Sequence, residues 1–201
     1  MMQLSNESGL GRALDKFRPL CGKRIALLDA DGFDFERLAA LRQAFALAGA
    51  EVVLVAPTPD LTADQVDGRA IVLADARLCD TAPEVYHALC IPGSRAAVAV
   101  LRGSEEARHF VANFVRSGKW IGTLDNGPLL LESSGISGRT VTSDPALRAE
   151  LERAGAAWVP EAVIADQRLV TAQGKDQLEA FVRVATLSFQ EKRRDPPPGY
   201  H

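Results

Sequence analysis

The chain has 201 residues, 47% of them apolar, and a formal net charge of -3; that suffices for one substantial core in a chain at the upper end of single-domain size. Its charges are scattered, so no basic stripe points to nucleic acid or to a membrane surface. Apolar runs are of strand length, well short of the roughly 20 residues a membrane-spanning helix needs, and no basic start followed by an apolar stretch marks a secretory leader. We therefore expect a cytoplasmic protein with neither nucleic acid nor membrane as a partner.

Residues 1–22 are mixed in composition, with Leu14, Phe17 and Leu20 spaced for a short amphipathic turn. They read as an extension that packs on the domain or reaches a protein partner. RIALLD, from Arg24, is a short buried strand, and Leu38, Leu41, Phe45 and Ala48 then recur at helical spacing up to Gly49. EVVLVAP is a second strand, so the unit is strand, helix, strand, with a parallel sheet and a right-handed crossover. Asp67-Gly68 before AIVL predicts a hairpin turn. HALCIPG is a third core strand ending in a Pro-Gly turn, and Glu105 to Ser117 is an amphipathic helix presenting Phe110, Val111, Phe114 and Val115.

WIGTL is the fourth core strand, followed by the tight turn Asp125-Asn126-Gly127 and a short helix, PLLLESSG. ALRAELERAGA predicts a helix, AVIADQRLVTA two short strands around Asp166-Gln167, and DQLEAFVRVATLSF a closing helix that the Pro-rich segment after Asp195 cannot continue. The organisation expected is an extension over 1–22, one domain over 23–190 and a tail over 191–201. Its fold class is α/β, a three-layer sandwich with a mostly parallel sheet. In such folds ligands bind beyond the carboxyl ends of the strands. Three turns should converge there: Ala30 to Asp34, Pro92 to Arg95, and Asp125 to Gly127.

Strand, tight turn and helix start around Asp125 have the build of an elbow that holds a nucleophile, but the residue at its tip is a carboxylate. Cys21, Cys79 and Cys90 are irregularly spaced and form neither a disulfide framework nor a zinc motif; they read as free, mostly buried thiols. His87, His109 and His201 offer no triad, and no G-x-S-x-G elbow is present.

In the order and spacing of ADGFD, AGAEVVLVAP, ALCIPGS, TLDNGP, GRTVTS and AGAAWVPEAVIADQRLVTA, the chain resembles the ThiJ/PfpI superfamily, a flavodoxin-like branch of the class I glutamine-amidotransferase fold, which implies a flavodoxin-like three-layer sandwich. The A-D-G, A-G-A and V-A-P segments are similar to the C-terminal domain of large-subunit catalases. Active members carry A-x-C-H-G-P at the elbow, with a Glu from the first loop on the thiol. The resemblance implies that Asp125 stands for that Cys, Asn126 for the His and Asp34 for the Glu, while Gly127 and Pro128 are kept. Pro92-Gly93-Ser94 matches a P-G-G turn, so Gly93, Ser94, Arg95 and Gly127 are expected around the pocket.

Three readings of this elbow stay open. In the first, Asp125 sits in a disused pocket, held by N–H groups at the start of the next helix, and the domain has a structural, accessory or ligand-binding role, with a stress-related one among those the resemblance suggests. In the second, Asp125 is itself a carboxylate nucleophile or base of a hydrolase; His87 would have to fold back to assist. In the third, Asp34 and Asp125 share a proton or a cation, with Asn126, Asp29 and Asp31 as further oxygen donors. Arg95 is a rival partner for Asp125. No cofactor is expected, and the resemblance implies a homodimer or larger homo-oligomer.

Overall fold

The computed structural model describes residues 18–63 and 70–191. The amphipathic positions Leu14 and Phe17, the Asp67-Gly68 turn, the Pro-rich tail and His201 lie outside them. Helix α1 (Phe35–Leu47) follows strand β1 (Arg24–Leu28), capped at its start by Asp34, whose side chain accepts the Arg37 backbone N–H. Strand β2 (Glu51–Ala56) then lies parallel to β1. The short strands β3 (Asp60–Thr62) and β4 (Ile71–Leu73) pair antiparallel as the two arms of the expected hairpin. A two-residue strand, β5 (Ala76–Arg77), joins the edge beside β2; nothing in the apolar pattern announced it.

The chain then returns to the other side of β1 with β6 (Ala88–Ile91). Helix α2 (Arg95–Gly103), capped by Ser94, follows directly, and α3 (Glu105–Arg116), capped by Ser104, begins right behind it. We expected only the second of these helices. Ala97, Val98 and Leu101 are nevertheless buried, an apolar stripe one short helix wide. Strand β7 (Trp120–Leu124) pairs with β6 and leads into a 3-10 turn over Gly127–Leu131, where a helix was predicted. Strands β8 (Thr140–Val141) and β9 (Ala157–Trp158) form a small separate sheet around helix α4 (Arg148–Arg153). Strands β10 (Val163–Asp166) and β11 (Leu169–Ala172) make the antiparallel pair expected around Asp166-Gln167, and α5 (Leu178–Gln190) closes the domain.

The main sheet has the order β10-β11-β7-β6-β1-β2-β5 and is parallel except at β10. Helices α1 and α5 pack together over it, with the Phe45 and Phe189 rings 5.7 Å apart. Gly122 in β7 lets α5 come close: a Cβ there would lie 2.8 Å from the Phe181 ring. Helices α2 and α3 pack together, so helical layers flank the sheet and the architecture is the α/β sandwich expected. Because chain order switches direction between β1 and β6, the loops leaving those two strands diverge and open a crevice at their carboxyl ends. The elbow after β7 borders it.

Candidate functional site

The three turns meet at that rim through specific hydrogen bonds. Ser94 Oγ donates to the Gly32 carbonyl at 2.7 Å, tying the loop after β6 to the loop after β1. The backbone N–H and the side-chain Nδ2 of Asn126 donate to the Gly93 carbonyl at 3.1 and 3.3 Å, tying the elbow to the same turn. Gly93 has φ 84°, and a Cβ on it would fall 1.8 Å from the Leu124 carbonyl oxygen. Only glycine fits there, for its conformation and for its closeness to the elbow backbone. Gly127 is buried beneath the elbow, where a Cβ would press on Thr123 at 2.9 Å.

Asp125 itself has φ 55°, a left-handed conformation that an L-residue adopts at some cost. The strain typical of a nucleophile elbow is thus present, with a carboxylate at the tip. Its Oδ2 accepts from Arg37 Nη1 at 3.0 Å, and its Oδ1 accepts from Asn126 Nδ2 at 3.1 Å. Arg37 Nη1 also donates to the Pro92 carbonyl at 2.9 Å, and Arg37 Nη2 lies 3.6 Å from Asp34 Oδ2. The Arg37 side chain is only 7% exposed. A buried guanidinium therefore stands between the two aspartates and joins all three turns. Burial pushes the Asp125 carboxyl up from its ordinary range, while Arg37 pulls it down.

Several expectations change here. The partner of Asp125 is Arg37, not Arg95: Arg37, Leu41 and Phe45 recur four apart on the inward stripe of α1, whereas Arg95 opens α2 and faces a cleft. The Asp125 carboxylate is held by side chains and not by the next helix start, where a Gly-Pro pair begins a 3-10 turn and Pro128 has no N–H to give. Asp34 acts as the helix cap. The place between Asp34 and Asp125 that a cation would take is filled by Arg37, and among the described residues no three His, Cys, Asp or Glu side chains are grouped to hold a metal. Asp31 accepts the Thr62 N–H at 2.7 Å and so is spent on the loop.

His87 does not fold back. Its Nδ1 accepts from the Arg24 backbone N–H at the amino ends of β1 and β6, the edge of the sheet away from the elbow. All three cysteines are free as expected, but Cys21 and Cys79 are exposed and only Cys90 is buried. Cys90 lies within β6, where burial pushes its thiol up and away from the reactive thiolate. Sequence reasoning missed Arg37; the signal was a cation placed i-4 from Leu41 on an otherwise apolar stripe.

Beneath the rim lies Asp29, 1% exposed, just past the end of β1. Oδ1 accepts from the Ala30 N–H, and among the described residues Oδ2 has no partner; the same is true of Arg37 Nε. Burial pushes its carboxyl up to about 8, against the pull of the Ala30 N–H and of Arg37. Asp29 is thus a neutral acid at pH 7.

Beside the elbow, between α2 and the segment from Asp144 to Glu150, opens a cleft of about 390 Å3, to which Asn126 and Leu129 contribute. Asp144 connects it to the elbow, its N–H donating to the Asp125 carbonyl at 3.4 Å. We had singled out neither the cleft nor Asp144.

A doubly wound sheet with a strained strand-to-turn elbow at its carboxyl edge defines a flavodoxin-like α/β domain. The DJ-1/PfpI family model matches residues 23–186, and the chain belongs to that family. It is 32% identical over 165 residues to protein/nucleic acid deglycase 2 of Escherichia coli, covering 81% of this chain and 95% of that protein. An uncharacterized protein of Staphylococcus epidermidis is also 32% identical, over 164 residues, or 80% of this chain and 94% of that one. Among solved structures, Drosophila melanogaster DJ-1beta superposes with a TM-score of 0.75 at 18% identity, covering 84% of this chain and 91% of that one. A two-domain protein from Anabaena variabilis with DJ-1/ThiJ/PfpI-like and ferritin-like domains gives 0.77 at 21% identity over 86% of this chain; the match spans about half, 52%, of that protein.

Two outcomes follow. Gly93→Ala should destabilise the fold by more than about 3 kcal/mol, since it combines a backbone clash with a left-handed φ; a urea midpoint equal to that of the parent would contradict this. Asp29 keeps its proton in the folded state up to about pH 8 but loses it near 4 when unfolded. The folded chain then binds the extra proton between those values, and stability falls as pH rises through that window. At pH 7 the cost is on the order of 4 kcal/mol. Asp29→Asn should therefore flatten the melting temperature between pH 5 and 8 and raise it by several degrees at pH 8, approaching the parent near pH 4. Parallel pH curves for the two proteins would refute it.

Proposed function

We propose that this chain is a DJ-1/PfpI domain without the thiol chemistry of its active relatives, serving a ligand-binding or accessory role. The observation that carries this reading is the Arg37–Asp125 ion pair, which joins a buried guanidinium to the half-buried carboxylate at the tip of the elbow. The resemblance aligns Asp125 and Asn126 with the catalytic Cys and His. A carboxylate bonded to a guanidinium at 3.0 Å is a poor nucleophile, its lone pair being engaged and its charge balanced. No cysteine takes over: Cys90 is buried in its strand, and Cys21 and Cys79 are exposed outside the rim loops. On this reading the deglycase activity named for the Escherichia coli relative does not extend to this chain.

The second reading, a hydrolase using the Asp125 carboxylate, gains one feature in Asp144, an acidic neighbour suited to act as a base. It requires Asp125 to be released by Arg37, and the present geometry opposes that. We further propose that the domain works as a homodimer or larger assembly. The outward side chains of Ile71 and Leu73 on β4, 64% and 72% exposed, support a contact surface. The resemblance of the A-D-G, A-G-A and V-A-P segments to the catalase C-terminal domain, and the cytoplasmic setting expected from composition, fit such an accessory role.

To test the reading, the purified protein is assayed on glycated peptides, amides and α-oxoaldehydes before and after iodoacetamide. We expect no turnover that alkylation removes; turnover that it abolishes would refute the proposal. Sedimentation at tens of micromolar, where a standard-sized interface holds together, should give a species at least twice the chain mass. A monomer alone would remove the assembly proposal.

A further inference from the structure

The cleft beside the elbow has a charge pattern that selects for one class of ligand. Its volume, about 390 Å3, sits at the small end of the roughly 300–1,000 Å3 of small-molecule sites. One wall is α2, with Arg95 and Arg102; the other is the segment carrying Asp144, Leu147 and Glu150. Arg102 is shared by Glu132 at 2.7 Å and Glu150 at 3.1 Å, so these three side chains are engaged with one another. This leaves two charges to be used. The Arg95 side chain makes no hydrogen bond or ion pair with another described residue. The Asp144 side chain accepts only the Ala146 N–H, through Oδ1, and among the described residues pairs with no cation. The same cleft also has an apolar lining, to which Val98, Leu129 and Leu147 contribute.

We propose that this cleft binds a small zwitterion with an apolar side chain, an aliphatic α-amino acid, its carboxylate on Arg95 and its ammonium on Asp144. Like charges exclude the alternatives. A plain anion would meet Asp144 and Glu150 within a half-enclosed space, and a plain cation would meet Arg95 and Arg102. A zwitterion satisfies both unused charges, and its side chain covers the apolar floor. Asn126 sits at the boundary of cleft and elbow, so an occupied cleft lies against the Asn126–Gly93 hydrogen bonds that hold the rim together. This inference rests on the ligand-binding reading and gives it a ligand class.

The test uses the full chain and calorimetric titration with three probes: L-leucine, isocaproate, which is leucine without its amine, and isoamylamine, which is leucine without its carboxylate. Leucine should bind saturably, and each of the other two at least about tenfold more weakly, since each loses one charge-assisted contact. Arg95→Gln should weaken leucine to the level of isoamylamine, and Arg95→Lys should keep most of the affinity. Asp144→Asn, which retains the acceptor for Ala146, should weaken leucine to the level of isocaproate. Isocaproate or isoamylamine binding as tightly as leucine, or no saturable binding by any probe, would overturn the inference. Leucine is also recovered after incubation. Recovered unchanged without binding, it sinks the zwitterion site alone; bound and recovered chemically altered, it sinks the non-catalytic reading alone.

Discussion

The arrangement at the rim depends on one buried cation. Arg37 reaches the Pro92 carbonyl, the Asp125 carboxylate and the edge of Asp34 from a position that solvent barely touches. A guanidinium is suited to this because its donors are held in a planar fork and it stays charged at any working pH. Taking it out of water is costly, and the cost is offset only if its partners are anionic or carbonyl groups in good geometry. Two aspartates and a carbonyl meet that requirement. The same interaction explains how a carboxylate is tolerated on a strained elbow: Asp125 has a counter-ion in place.

That pairing also shapes what the site can do. Elbows of this kind hold a side chain at the tip of a strand so that it projects toward substrate. Here the tip residue is engaged with α1, and it is the next residue, Asn126, that borders the open cleft. The cleft and the tip of the elbow are thus adjacent but chemically separate. Asp29 adds a second layer: a neutral acid beneath Arg37 avoids a third negative charge under a single guanidinium, and its elevated affinity for a proton comes first from burial, with a lesser push from Asp34.

Much of the fold could be read from the residues. Runs such as RIALL, EVVLVA and WIGTL are too short and too uniformly apolar for anything but buried parallel strands, and turn residues bracket each of them. The helix spacing of Leu38, Leu41 and Phe45 was equally plain. The elements that escaped notice were short: β5 has two residues, too few for any period, and α2 has nine, its stripe of Ala97, Val98 and Leu101 spanning little more than one turn. The turn after the elbow was read as α-helical because its composition is apolar; the Gly-Pro start gives a tighter 3-10 path.

For the site, the chain by itself determined that three turns after parallel strands lie on one edge, since parallel strands separated by helical crossovers place their carboxyl ends together. It also determined that the elbow carries Asp125 and Asn126 with no thiol. Only the tertiary structure decided which cation faces that carboxylate. Arg37 and Arg95 both follow turns at the rim, and periodicity places each on a helix without saying how that helix is seated against the sheet. The seating of α1 turns Arg37 inward beside Leu41, while α2 presents Arg95 to the cleft opposite Asp144. Partners in an ion pair must meet within a few ångströms, and that distance is set by packing between elements 88 residues apart in the chain, which no local pattern encodes.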